Sequence, residues 1–283
     1  LSEEAPTKRG RADILVAEDL KVAVAGKGGV GKTTISGVLA RLMARQGSNV
    51  LAIDADPAMN LWLSLGVPKE ALANIIPLSE NEDLIEERTG ARPGSIGGVF
   101  SLTPKVSDIA EKYGIRGPDG VTLLILGTVK SAGGGCMCPA NALLKALLRH
   151  LLLDRRDVVV LDMEAGLEHL GRGVVKGVDA LLAVVEPSYR SIETAARVKR
   201  LAQDLGVKRI YAVGNKIGRA EEEHFIRREA GKAGLDLLAA IPLDQAVPQA
   251  EMVGFSPIDY APHSEAVKAI EGLTTRLKEI MLS

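Results

Sequence analysis

The chain has 283 residues, 46% of them apolar and 25% charged, with a formal net charge of −1; this is the composition of a globular α/β chain that can bury a full core. The near-neutral balance excludes the broad basic surface of a non-specific nucleic-acid binder, and the pairs Lys199-Arg200 and Lys208-Arg209 read as solvated element ends. The most apolar stretch, 142–153, is broken by Lys145, Arg149 and His150, and residues 1–19 are polar without a signal-like apolar core, so the expectation is a cytoplasmic chain with no membrane or nucleic-acid partner.

From Lys21 onward, short aliphatic runs alternate with longer amphipathic ones. Strands are predicted at 22–25, 50–53, 121–126, 158–162, 180–185, 209–213 and 237–241. Helices are predicted at 32–46, 140–153, 191–205, 220–233, 244–252 and 264–281. The alternation implies an α/β fold of three layers, a mostly parallel twisted sheet flanked by helices. Residues 20–283 read as one domain, 1–19 as an extension without an assigned role, and 66–120, rich in Pro and Gly, as an irregular insertion packed on one side of the sheet. Ligands of such sheets bind at the carboxyl ends of the strands, and the chemical motifs all fall there.

The first predicted strand runs into Gly26-Lys27-Gly28-Gly29-Val30-Gly31-Lys32-Thr33-Thr34, which fits the G-x-x-x-x-G-K-[ST] pattern of a phosphate-binding loop. Glycines let the backbone N–H groups of 28–34 turn onto a nucleoside triphosphate, and the following helix adds its positive N-terminal end. Lys32 is placed to reach the β- and γ-phosphates, and Thr33 to offer its hydroxyl to Mg²⁺. A lysine at position 27 makes the loop resemble the deviant Walker A loop of the MinD/ParA and nitrogenase iron-protein class of P-loop NTPases. The resemblance implies a two-fold dimer around two ATP molecules, with Lys27 crossing to the partner's phosphates. A second cation there would stabilise the charge that spreads in phosphoryl transfer.

Asp54-Ala55-Asp56-Pro57-Ala58-Met59-Asn60-Leu61 ends the second strand. By resemblance it is switch I, with Asp56 positioning the attacking water and Asn60 tying the loop to the nucleotide. Val158-Val159-Val160-Leu161-Asp162 is an apolar strand ending in a carboxylate, the arrangement that steadies the hydration shell of Mg²⁺. The residues after it resemble switch II, with Gly166 near the γ-phosphate; His169 among them reads as structural. Asn215, at the end of a later strand, stands where this superfamily reads the base. Position 218 is Gly, so the Asp that would accept from a guanine amino group is missing and ATP is the expected nucleotide. Pro242-Leu243-Asp244 resembles the loop that supplies backbone contacts to adenine.

The two cysteines stand together in Gly133-Gly134-Gly135-Cys136-Met137-Cys138-Pro139, a coincidence that random placement produces in under about one percent of cases. Two thiolates do not close the four-coordinate shell of Zn²⁺ or a comparable soft ion, and a two-fold partner supplies the missing pair. With Asn141-Ala142-Leu143-Leu144 and the segment 162–172, this block resembles the carbon monoxide dehydrogenase maturation ATPases, nickel-insertion accessory proteins of the MinD/ParA-like class. The resemblance implies an ATPase that dimerises on ATP, holds Ni²⁺ or Zn²⁺ between Cys136 and Cys138 of both subunits, and delivers it to a nickel-containing carbon monoxide dehydrogenase. Two alternatives stay open: a reductase like the nitrogenase iron protein, with a [4Fe–4S] cluster on the same thiolates, and a MinD/ParA-type positioning ATPase.

Overall fold

A computed structural model of the chain describes residues 19–95, 99–127, 138–164 and 177–282. In chain order the elements are β1 (Lys21–Gly26), α1 (Lys32–Arg45), β2 (Val50–Ala55), α2 (Leu61–Leu65), α3 (Glu82–Thr89), α4 (Ile109–Tyr113), β3 (Ile115–Arg116), β4 (Thr122–Ile125), α5 (Cys138–Leu153) and β5 (Val158–Met163). There follow β6 (Ala180–Val185), α6 (Tyr189–Leu205), β7 (Arg209–Ile217), α7 (Ala220–Lys232), β8 (Asp236–Pro242), α8 (Ala246–Met252), α9 (Pro257–Tyr260) and α10 (Glu265–Leu282). The strands form one sheet in the order β3-β4-β2-β5-β1-β6-β7-β8, parallel throughout except for β3 against β4. The expected three-layer, mostly parallel α/β fold is present.

The two-residue side-chain period divides each central strand between two cores. Val22 and Val24 of β1, with Val158 and Val160 of β5, face α1 and α10 through Ile35, Leu39, Ile270 and Leu273. Ala23, Ala25, Val159 and Leu161 face the other way, onto Leu143, Leu147 and Leu151 of α5 and Val198 of α6. Each fully buried Val or Leu contributes roughly 1.5–3 kcal/mol, so burial on both faces holds the middle of the sheet together. The site hangs from its carboxyl edge: Val24 of β1 and Asp54 of β2 are both register partners of Asp162 on β5.

Three elements inside 66–120 carry no legible periodicity. Strand β3 has two residues, too few for alternation to show. Helix α3 is short, but Asn81 caps it by accepting from Leu84 N–H at 3.0 Å, and it stops at Gly90 with φ +83°. Its Leu84 and Ile85, with Ile109 and Ala110 of α4, join the core of α5. Helix α8 starts at Ala246 and not at the expected 244, because the Asp244 carboxylate accepts from Ala246 N–H at 2.9 Å and, across the fold, from Ala266 N–H of α10 at 3.0 Å. Strand β7 runs four residues past the expected end at 213, to Ile217.

Candidate active site

The turn between β1 and α1 has Gly29 at φ +80° and Gly31 at φ +92°, a region where L side chains are strained. At Gly31 a Cβ would also occupy the place of the Asn215 amide. Helix α1 begins at Lys32 with no acidic residue in its first turn, which leaves the positive end of its dipole for an anion. Beside it opens a cavity of about 700 Å³, within the range of small-ligand sites. Gly28, Gly29, Gly31, Lys32, Thr33, Thr34, Asp56, Asn60 and Asn215 line its polar side; Leu63, Leu243, Val247, Phe255 and Ile270 line the apolar end. Val30 is fully buried behind the loop.

Inside the cavity Lys32 Nζ pairs with Asp56 Oδ2 at 2.7 Å, both side chains nearly buried. The other oxygen of Asp56 accepts from Ala58 N–H at 2.8 Å, which fixes the carboxylate toward Lys32. Thr33 Oγ1 donates to Asp162 Oδ2 at 2.7 Å and Ser36 Oγ to Asp162 Oδ1 at 3.1 Å. Burial pushes the Asp162 carboxyl up to about 6, against the Thr33 hydroxyl bond and the Lys32 charge, which lower it. A buried carboxylate held between two hydroxyls, one of them that of the cavity-lining Thr33, is the hard oxygen set that suits Mg²⁺.

Asp54, not among the sequence-predicted site residues, proves central. It is fully buried, accepts from Asp56 N–H at 3.1 Å and from Leu61 N–H at 2.9 Å, and so holds both ends of the 56–61 loop. Burial pushes its carboxyl up to about 7; the neighbouring Asp162 charge adds to the rise, and the two backbone donors oppose it.

The remaining predicted residues are placed as follows. Lys27 is not among the residues lining the cavity; its ammonium lies 3.7 Å from Glu186 Oε1 and the side chain is 43% exposed. Asn60 precedes α2 and lines the cavity. The Asn215 amide donates to Val30 C=O at 2.7 Å, so its nitrogen is engaged on the loop backbone. Pro242, Leu243 and Asp244 line the cavity opposite the loop, the Asp244 carboxylate being occupied in capping. Gly218 N–H donates to Glu222 Oε2 at 2.7 Å, which turns that carboxylate onto the start of α7. Cys138 opens α5. Cys136, Gly166 and His169 lie outside the described residues.

The CobQ/CobB/MinD/ParA nucleotide-binding domain family matches residues 21–258. The chain belongs to that family. Among its relatives, the carbon monoxide dehydrogenase accessory protein CooC of Rhodospirillum rubrum is 46% identical over 86% of this chain and 91% of its own length. An uncharacterised ATP-binding protein of Methanocaldococcus jannaschii is 45% identical over 89% of this chain and 95% of its own length. Of solved structures, a ParA-family ATPase from Chlorobium tepidum superimposes with a TM-score of 0.67 at 18% identity, over 90% of this chain and 98% of its own. MinD of Pyrococcus horikoshii, solved with Mg-ADP, gives 0.64 at 21%, over 93% and 97%. The family member described here is an ATPase. Among the described residues, no helix is long and apolar enough to cross a membrane.

Proposed function

We propose that this ATPase is a metallochaperone: it dimerises on ATP, holds a metal ion, nickel as cargo, between Cys136 and Cys138 of its two subunits, and serves the maturation of carbon monoxide dehydrogenase in the cytoplasm. Residues 20–283 act as one ATPase domain with 66–120 as its insertion. The observation that carries the reading is the likeness to the accessory protein CooC over nearly the whole chain, and the Cys-Met-Cys triplet gives that likeness a place to hold metal. Nitrogenase-type reduction or MinD-type positioning would use the same fold, but neither calls for a cysteine pair inside one triplet.

The roles assigned to the site are read from its motifs and the family likeness, and the geometry of the cavity supports those of Lys32, Thr33 and Asp56. The loop 28–34 cradles the phosphates. Thr33 and Asp162 would hold Mg²⁺, which would neutralise phosphate charge in the transfer. Lys32 pairs with Asp56 at 2.7 Å; a γ-phosphate entering the cavity offers the ammonium a stronger anion and releases Asp56 Oδ2 to accept from the attacking water. No strong base is required, because positioning and electrostatics dominate the transfer. Lys27, outside the cavity lining, is the residue that reaches the second subunit's phosphates. Asn60 and Gly166 tie the two switches to the nucleotide, and Asn215 with the 242–244 backbone faces the adenine.

Closing the dimer on ATP assembles four thiolates, so metal and ATP strengthen each other's binding. Titrating Ni²⁺ and Zn²⁺ into anaerobically purified protein with ATP or ADP, followed by light scattering, tests this. The expected result is one metal per dimer, bound at least several-fold tighter with ATP, and lost in Cys136→Ser while ATP binding persists. Equal metal affinity in both nucleotide states would remove the linkage, and a brown, iron-bearing preparation would replace the metallochaperone with a redox protein.

A further inference from the structure

Near its carboxyl end, β7 departs from regular pairing. Gly214 is opposite Ala240 and Ile217 opposite Pro242; two residues of β7, Asn215 and Lys216, therefore face one residue of β8. Such a bulge re-aims side chains that would otherwise alternate between the faces of the sheet. Lys216 takes the extra step in the left-handed region, at φ +57°, a conformation that strains a non-glycine residue and persists where surrounding contacts hold it.

Those contacts are on the phosphate loop. Asn215 Nδ2 donates to Val30 C=O at 2.7 Å, and Lys216 Nζ donates to Gly29 C=O at 2.6 Å. Two successive side chains of one strand thus grip two successive carbonyls of the loop. Val30 anchors the loop in the core through its side chain, while Gly28 and Gly29 have open space where a Cβ would stand, so on that side the hold comes from the two carbonyl bonds. Val30 N–H, between these two carbonyls, donates to Lys27 C=O at 3.4 Å within the loop, and Lys216 itself lines the cavity.

We propose that Lys216 is a positioning residue for nucleotide binding. With Asn215 it forms a two-point brace that keeps the phosphate loop in its binding curvature, and the left-handed bulge exists to bring both prongs to the same side. This rests on the assignment of the 26–33 loop to the phosphates of ATP. Without the brace the loop samples other curvatures, and apparent affinity falls with the fraction of loops that remain competent. Bound phosphates restore the curvature, so the loss appears in KM and Kd and far less in kcat.

The test uses the full chain and fluorescent ATP, with Lys216→Met, Lys216→Gly and Lys216→Arg beside Lys32→Ala. Lys216→Met removes the donor but keeps most of the stem; it is expected to weaken ATP binding and raise KM about tenfold, with kcat within about threefold of the parent. Lys216→Gly relieves the backbone strain, so it should melt no lower than the parent and still bind as weakly as the Met variant, which separates a brace from a merely structural residue. Lys216→Arg keeps a donor and should recover most of the affinity. ATP binding within twofold of the parent in both Met and Gly variants would overturn the proposal. A parent chain that did not bind ATP, with Lys32→Ala no different from it, would overturn the loop assignment itself and the brace with it.

Discussion

Replacing Asp54 by Asn should remove the larger part of the stability that the buried Asp54 and Asp162 lose together between pH 5 and pH 8. Burial pushes the Asp54 carboxyl from an ordinary 3.8 up to about 7. A carboxyl whose folded pKa lies above its unfolded one keeps a proton in the native state that the unfolded chain has already released, between about pH 4 and pH 7. The stability it contributes is therefore present in full below the unfolded value and gone once the pH has passed the folded one. At 1.36 kcal/mol per pH unit, raising the pH from 5 to 8 should cost the parent about 3 kcal/mol through this group alone. Asp162, pushed up to about 6, adds a smaller loss of the same sign. In Asp54→Asn only the Asp162 part should survive. The variant also puts an NH₂ where one of the two backbone N–H donors, Asp56 or Leu61, expects an oxygen, so at pH 5 it should be less stable than the parent by about 1–3 kcal/mol. Urea unfolding at pH 5 and pH 8, without nucleotide or Mg²⁺, reads both effects. A variant that keeps the parent's full difference between the two pH values would show that Asp54 is not the titrating group.

Lys32→Ala should abolish ATP binding, measured by fluorescent-nucleotide titration, and it leaves Asp56 nearly buried beside an empty ammonium position. Gly31→Ala forces a side chain onto a backbone at φ +92° and into the Asn215 amide; it should weaken ATP binding at least tenfold and lower the melting temperature. Arg41→Met strips a guanidinium that is 2% exposed and bound to Asp119, Asp259 and the Leu65 carbonyl. It should lose on the order of 3 kcal/mol in urea unfolding with turnover per folded molecule retained. Gly127→Ala, at φ +66° with Ser79 Oγ 2.6 Å and Pro77 Cβ 2.8 Å from the new Cβ, should leave ATP binding in place and shrink the ATP dependence of metal affinity in the same titration.

How far the residues disclosed this arrangement depended on whether a role is carried by local spacing. The glycine-lysine-threonine spacing of 26–33 places its own backbone, and in the structure Lys32 and Thr33 line one cavity, with Asp162 at hydrogen-bonding distance of Thr33. Asp54 was hidden because two carboxylates two residues apart at a strand end look alike in sequence. Only the tertiary fold turns Asp54 inward onto Leu61 N–H, seven residues away. Arg41 sits in the apolar run of α1, and its partners are 78 and 218 residues distant, beyond any local pattern. Lys216 depended on a left-handed φ that lysine rarely adopts. The one available cue was Asn-Lys followed by Gly218, a turn-forming context at the end of an apolar strand.

Asp54 also ties the nucleotide side of the fold to the stem that precedes the cysteine segment. Strand β4 lies next to β2, and just beyond it Leu126 N–H donates to the Asp54 carbonyl at 2.9 Å while Ser79 N–H donates to the Leu126 carbonyl at 2.9 Å. Asp54 therefore holds the 56–61 loop with its side chain and the stem at Leu126 with its backbone. Met59, at φ +49°, brings its sulfur to 3.8 Å of where a Cβ on Gly127 would stand. A shift of the 56–61 loop would reach residue 126 through Asp54, whose side chain holds the loop and whose carbonyl holds Leu126 N–H, and a side chain added at Gly127 would meet the Met59 sulfur. A coupling between ATP and metal needs an element with two arrangements that both ligands bias. The 56–61 loop lines the cavity through Asp56 and Asn60 and is held by Asp54, which also holds that stem, which makes its position, and not a change in the centre of the sheet, the quantity on which such a coupling would turn.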